Sequence, residues 1–505
     1  MLVPHPSVPP SLTLASGPPD PVADVRIGVL TSEIPPELVD EVIEVTGCRE
    51  KRRRLLPARA VVYLVLGMCL LSGSDSAGPP GYRAVMRSLT SGLRHLAGAS
   101  LPVRQAFGKA RARVGSKPLE LLFDRVRGTR AGPGTPGAFA FGHRVVSMDG
   151  TTIDVPRTAA NLAAFGAQGG GDTPAIRLLA LIECGTHAVI DAAFDGAARA
   201  SEIDLARRVL HALGPGMLLL ADRNFKGYQL WTAACAGGAD LLWRIPGNWV
   251  LPPEKVLPDG SYLAVLRTPE ASRQGYRNRL YGRPSSAGRL VRVIDYTLTI
   301  GAGGATRAGD CRLITTLTSP DEAPAAALAA LYHERWESEG SYQELKVRLK
   351  GAGFALRSKS PDLACQETYA LLAVYHALCS LQARAAATAG IDPGSISFTA
   401  TIHAVRDQAK SNDIITRPGM LGRALSWVIT DMLADPREKR RDRHNERAKN
   451  PPKRHYPTRN PAQPRPPAKA SYTITIDTCR TTTTAKRPPK PPRALRPPPP
   501  PPKPR

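Results

Sequence analysis

The chain has 505 residues, 42% of them hydrophobic, which at roughly 150 residues per domain suggests about three domains with ample core. Its 8 cysteines form no CxxC pair and no run of ligand spacings, which argues against a disulfide scaffold or a structural zinc site and for a reducing compartment. The first twenty residues lack the Lys or Arg of a secretory signal, and the longest apolar run, Ala60 to Leu71, is too short to span a bilayer. No membrane partner is therefore expected.

The net charge of +25 is concentrated at two places. Residues 437–505 hold 20 basic against 4 acidic residues, and residues 36–130 hold 17 against 8. Two basic segments flanking a near-neutral body point to a polyanion held by the flanks, with counterion release supplying much of the affinity.

In chain order, residues 1–35 read as an N-terminal extension. Residues 36–130 read as helical, because apolar residues recur at spacings of three and four in PELVDEVIEV and PLELLFDRVR, and as a DNA-binding domain because of the Arg and Lys they carry. The run Arg49 to Arg54 and the set Arg104, Lys109, Arg111 and Arg113 supply its basic surface. Gly128 to Gly137 is a linker. From residue 144 the periodicity changes to β-type: RVVSMDGTTIDV, IRLLALIEC and HAVIDAAF are predicted strands, the last two joined as a hairpin. A helix over Ala200 to Leu213, a strand MLLLAD, a helix around NFKGYQLWTAAC and a strand DLLWRI follow. The order βββαβαβ predicts an α/β fold with a ribonuclease H-like core. Residues 246–320 read as a β-rich insertion within a catalytic domain of 140–436. A long helix is expected from Asp321 through ELKVRLK, with more helix over 362–390 and 398–409. The basic tail 437–505, with 18 of the 49 prolines, is expected to be disordered.

Three places could carry chemistry. Asp149 lies inside an apolar strand, where burial of a carboxylate asks for a reason. Asp222 ends a buried strand just before a helix, where α/β sheets place functional groups. Tyr332, Arg335, Glu339 and Lys346, at offsets of 0, 3, 7 and 14, form a stripe about 60° wide on one ideal helix face. On the same projection Glu334, Glu337 and Glu344 point away from Glu339, as solvated helix charges do, and His333 points off the stripe toward solvent. Two Asp from such a sheet plus a Glu from a following helix offer hard oxygen ligands for two Mg²⁺ ions. Trp243 and Trp249 could stack on an extruded base, though core packing is the stronger reading.

These residues resemble the DDE transposases of the IS4 type. The resemblance runs from about Asp24 to Asp435. It rests on MDGTT around Asp149, ADRNFKGYQLW around Asp222, and YHERWESEGSYQELK, which matches that family's Y-x2-R-x3-E-x6-K signature at Tyr332, Arg335, Glu339 and Lys346. Ser338, Gly340 and Ser341 beside Glu339 depart from it as poor helix formers. The resemblance implies a prokaryotic, cytoplasmic transposase acting on chromosomal DNA. Such an enzyme binds the terminal inverted repeats of its element as a homodimer, cleaves with two Mg²⁺ or Mn²⁺ ions, and joins the ends to target DNA. It implies that Asp149, Asp222 and Glu339 bind metal and that Tyr332, Arg335 and Lys346 hold the DNA. The rival readings are a catalytically impaired DNA-binding regulator and a metal-dependent nuclease of the same fold.

Overall fold

A computed structural model describes residues 25–52, 54–73, 79–90, 102–167, 171–225, 227–268, 288–302, 305–334, 336–411, 418–436 and 471–477. Arg335 lies outside the described residues, as do the side chains of residues 334–339.

The centre is one mixed sheet. Its strands are β1 (Phe139–Ala140), β2 (His143–Asp154), β3 (Ala175–Glu183), β4 (Val189–Gly196), β5 (Met217–Ala221), β6 (Asp240–Ile245), β7 (Lys255–Val256), β8 (Tyr262–Leu266), β9 (Arg289–Ala302), β10 (Ala305–Thr315) and β11 (Ser471–Ile476). The main path runs β4-β3-β2-β5-β6-β10-β9-β8-β7. β2, β3 and β4 form an antiparallel meander, and β5 and β6 then lie parallel to β2. That is the ribonuclease H-like order expected from the sequence. The short helix α6 (Ala159–Phe165) follows β2, and α7 (Glu202–Val209), between β4 and β5, starts with a capping box, the Ser201 and Asp204 side chains each accepting the other's backbone N–H. The helix α8 (Tyr228–Cys235) joins β5 to β6. α7, α8 and one face of the sheet bury Leu205, Trp231 and Trp243 in a shared core. The Trp231 and Trp243 rings meet edge to face at 5.1 Å, and Trp243 is only 1% exposed, so it packs.

Beyond β6 the strands of the β-rich stretch do not form a separate sheet. β10 pairs antiparallel with β6 and carries β9, β8 and β7 outward. Arg292, fully buried, ties this extension to the next helix: it is paired with Asp259 and donates to Ser261 Oγ and to the carbonyls of Leu317, Ser319 and Ala323. Asp259 in turn accepts the backbone N–H of Ala325 at 2.8 Å.

The N-terminal helices α1 (Pro36–Val45), α2 (Ala58–Leu70), α3 (Tyr82–Leu89), α4 (Arg104–Val114) and α5 (Lys117–Val126) pack with three late helices. Numbered after the two helices over residues 325–343 described below, these are α11 (Pro361–Ala389), α12 (Phe398–Ser411) and α13 (Leu421–Ala434). All share one hydrophobic core, which also takes Ile153, Ile176 and Leu178 from the sheet. α2, apolar on every side, is almost wholly buried. The linker after α5 is pinned by Glu183, a fully buried carboxylate that accepts the N–H groups of Arg130 and Ala131 and pairs with Arg144.

Several expectations change in three dimensions. Arg111 is not part of a basic surface: it is 0% exposed and donates to Gln366 Oε1, Tyr82 Oη, Ser358 Oγ and the Leu363 carbonyl. Arg113 bonds Glu50 and the Leu56 carbonyl but stays exposed, as do Arg104 and Lys109. The tail carries an ordered piece, because β11 pairs with β9 from Ser471 opposite Gly301 to Ile476 opposite Tyr296. A β-branched stretch, SYTITI, meets a strand edge that β8 leaves open, which is enough to order it. The rest of the tail lies outside the described residues. Among the described residues, no helix is long and apolar enough to cross a membrane.

Candidate active site

The sheet register places the first two acids side by side. In the parallel β2/β5 pair the last partners are Met148 and Ala221, so Asp149, the next residue of β2, and Asp222, the residue directly after β5, follow on two strands spaced about 4.8 Å apart. Both are half-buried. Asp149 Oδ1 accepts its neighbour Gly150 N–H at 2.8 Å, and Asp222 holds a turn by accepting Asn224 N–H at 2.6 Å. Met148 and Ala221 point into the core under α7 and α8. The strand pleat therefore directs Asp149 to the other face.

That other face is covered by the helices α9 (Ala325–Glu334) and α10 (Trp336–Gln343) and a π-helical turn over Glu344–Leu349. Two tyrosines fasten them to the strands that carry the acids. Tyr332 Oη donates to the carbonyl of Ala221, immediately before Asp222, at 3.2 Å. Tyr342 Oη donates to the carbonyl of Asp149 and accepts the N–H of Ala180 at 3.0 Å, bridging the β2/β3 ladder at the pair Asp149 and Ala180. Burial, then the charge of Asp149, pushes the Tyr342 hydroxyl well above its ordinary pKa, so it stays a protonated donor. Glu339 lies on α10 one turn before Tyr342. Its backbone is thus bracketed between anchors at Asp222 and at Asp149.

Lys346 follows in the π-turn, and its Nζ donates to Thr151 Oγ1 at 3.0 Å. Thr151 is two residues, about 7 Å, along β2 from Asp149 on the same pleat face. Burial lowers the Lys346 ammonium pKa, partly offset by Asp154.

The long helix expected from Asp321 begins at Ala325, and after Gln343 it widens into a π-helical turn over Glu344–Leu349. At the start of that turn Glu344 still points away from the acids, but other elements cover that side. Glu344 is not a solvated charge but 7% exposed, with Oε2 2.9 Å from His187 Nδ1 and accepting Tyr375 Oη at 3.2 Å. His333 is half-buried rather than exposed, its ring 4.5 Å from that of Tyr472 on β11.

Two residues near the acids escaped the sequence reading: Tyr342 and Thr151 are ordinary in type, and only the fold sets them beside the acids. Gly150 faces α7 instead, where a Cβ would lie 2.7 Å from Glu202 Oε1, so the glycine of MDGTT leaves room for α7 to pack on the strand.

The neighbouring carboxylate oxygens of Asp149 and Asp222 fit a hard divalent cation. Among the described residues no three His, Cys, Asp or Glu side chains converge on one point, and the Glu339 carboxylate is not among the described atoms.

Asp149, inside β2, and Asp222, just past β5, lie at neighbouring positions beneath the helix that carries Glu339, and the part of the chain that holds all three is matched as a transposase DDE domain. The sequence model of that name, "Transposase DDE domain", matches residues 140–377, and "Insertion element 4 transposase N-terminal" matches residues 24–124. The chain belongs to the IS4-type DDE transposases, and it is a DNA transposase. It is 27% identical to "Transposase InsG for insertion sequence element IS4" of Escherichia coli (strain K12) over 352 residues, 68% of this chain and 73% of the relative. To "Putative transposase InsZ" of the same organism it is 24% identical over 223 residues, 43% of this chain and 71% of the relative. Among solved structures, a piggyBac transposase synaptic complex with hairpin DNA aligns over 80% of this chain and 84% of that one, with a TM-score of 0.44 and 10% identity. The family is one of divalent-metal-dependent, DNA-cleaving and DNA-transferring enzymes.

Proposed function

We propose that this transposase binds the terminal inverted repeats of an insertion element as a homodimer, cleaves the element ends and joins them to target DNA, acting on chromosomal DNA in a prokaryotic cytoplasm. Asp149, Asp222 and Glu339 would hold two divalent ions, Mg²⁺ or Mn²⁺. When bound, such a pair polarises the scissile phosphodiester and stabilises charge on the attacking and leaving oxygens. The observation that carries this reading is the register of β2 and β5, which aligns Asp149 with Asp222 beneath the helix bearing Glu339.

The chain's other residues bind and orient. Lys346, on Thr151, offers a cation to a phosphate oxygen close to Asp149. Arg335, between Tyr332 and Glu339 in sequence, would supply a bidentate guanidinium to a neighbouring phosphate. Tyr332 holds the backbone before Asp222 and would meet the strand end only through its outer edge. The exposed Arg52, Arg54, Arg104 and Lys109 of the 36–130 segment would grip the element end outside the reacting bond.

The test is end cleavage and joining with labelled terminal repeats, a target plasmid and Mg²⁺. Asp149→Asn, Asp222→Asn and Glu339→Gln each abolish both steps while retaining end binding. Near-normal cleavage by any one of them removes that residue from the centre. Cleavage without joined products identifies a nuclease, and binding with no cleavage by the unaltered chain identifies a regulator.

A further inference from the structure

The carboxyl ends of β5 and β6 open beside Asp222 into a cavity of about 410 Å³. Arg223, Arg244 and Arg312 line it, with Asp295, Asp310 and Asp477. Arg312 is held by Asp295 in a two-pronged pair, at 2.5 and 2.9 Å, and by the Trp249 carbonyl at 2.8 Å. Arg223 directly follows Asp222 and is exposed.

Asp477 comes from far along the chain, at the end of β11. β9 is paired along one edge by β10; along the other, β8 takes Arg289 to Val293 and β11 takes Tyr296 to Gly301. The segment is seated by more than its ladder. Ile474 and Ile476 pack on the core formed by Tyr296, Leu328 and Tyr332, and the Tyr472 ring rests against His333. At its end the Asp477 N–H donates to the Asp295 carbonyl at 2.9 Å, and Thr297 Oγ1 donates to the Asp477 carboxylate at 3.2 Å. Three acids then face three arginines in the cavity. Without Asp477 the lining is positive by one charge.

We propose that the outer edge of β9 is a docking surface for the chain's own C-terminal strand, and that the docked strand competes with DNA for the arginine-lined cavity beside Asp222. The inference rests on the reading of Asp222 as part of the DNA-processing centre. A phosphodiester running past Asp222 would meet Arg223 and Arg244, and Asp477 occupies that wall with the charge a phosphate would bring. Strand addition at an open edge is a reversible contact of this kind, its ladder supplying affinity and its alternate side chains supplying fit.

The competition is separable from the attraction of the basic tail. Ile474→Asn with Ile476→Asn undocks β11 without changing any charge, and Asp477→Asn keeps it docked while removing one carboxylate. Binding of a fluorescent 30-base-pair duplex is measured for the full-length chain at physiological salt, with hydrogen exchange of the 471–477 amides as the record of docking. The expected result is strong amide protection in the unaltered chain. The double variant loses this protection and binds DNA at least threefold more tightly, and Asp477→Asn binds about twofold more tightly with protection intact. Lost protection with unchanged or weaker DNA binding overturns the proposal, as do unprotected 471–477 amides in the unaltered chain. Protection that grows with protein concentration assigns the strand to a second copy and overturns the intrachain form. Metal-dependent cleavage is assayed in parallel, so failure of the functional reading shows as absent cleavage whatever the affinities do.

Discussion

Tyr342→Phe isolates one hydroxyl that joins the helix of Glu339 to the strand of Asp149. The ring stays, so its packing in the core against the sheet is kept. What is lost is a donor to the Asp149 carbonyl and an acceptor for the Ala180 N–H. Each bond contributes about 1 kcal/mol net, and a buried N–H left without a partner adds about 1–3 kcal/mol. We expect the folded state to lose about 3–5 kcal/mol in urea denaturation. The effect on chemistry should be larger than the stability loss implies, because α10 can then slide relative to Asp149. A displacement of about 1 Å between catalytic groups costs on the order of a hundredfold in rate. The assay is single-turnover cleavage of pre-bound ends across a Mg²⁺ titration, at a urea-free temperature where the variant is fully folded. The expected outcome is a reduced rate with a raised metal requirement and unchanged end binding. Tyr332→Phe removes one bond at 3.2 Å and should cost about 1 kcal/mol. Equal stability and equal metal response for Tyr342→Phe and the unaltered chain would refute the view that this hydroxyl positions the centre.

Three further outcomes are expected. Glu344→Gln should destabilise by about 1–3 kcal/mol in urea denaturation, since it takes the charge from a buried carboxylate bonded to His187 and Tyr375. Arg292→Met should cost about 3–5 kcal/mol, because it strands Asp259 and the carbonyls at the start of α9, and urea midpoints will read it. Acid stability should depend on His376, whose imidazole burial, then Arg130, pushes down to about 3. Above about pH 6.5 the ring is neutral in both folded and unfolded chains. Below that only the unfolded chain takes up the proton, so stability is lost as pH falls from about 6.5 toward 3, at up to about 1.4 kcal/mol per pH unit. His376→Phe should flatten that slope in urea titrations at each pH.

Much of the fold around the candidate centre was legible in the sequence because it is local chemistry. The alternation of RVVSMDGTTIDV, the short buried run MLLLA and the turn that follows Asp222 are properties of a few adjacent residues, and they carried the strand order and both aspartates. Glu339 was singled out by offsets along one helix, and its place in the centre is a proposal. What the same offsets could not carry was what covers the far side of that helix: α11 and the β3–β4 hairpin do, and Glu344 is buried there against Tyr375 and His187. Arg111 reads as one more cation on a basic helix, and only α11, some 250 residues later, supplies the Gln366 and Leu363 partners that bury it. The strand at Ser471–Ile476 lies in a proline-rich tail whose average composition argues for disorder, and the open edge of β9 orders it. In each case the deciding partner is distant along the chain. Periodicity and composition report what a segment prefers by itself, whereas burial of a charge or pairing of an edge depends on the group that tertiary packing brings to meet it.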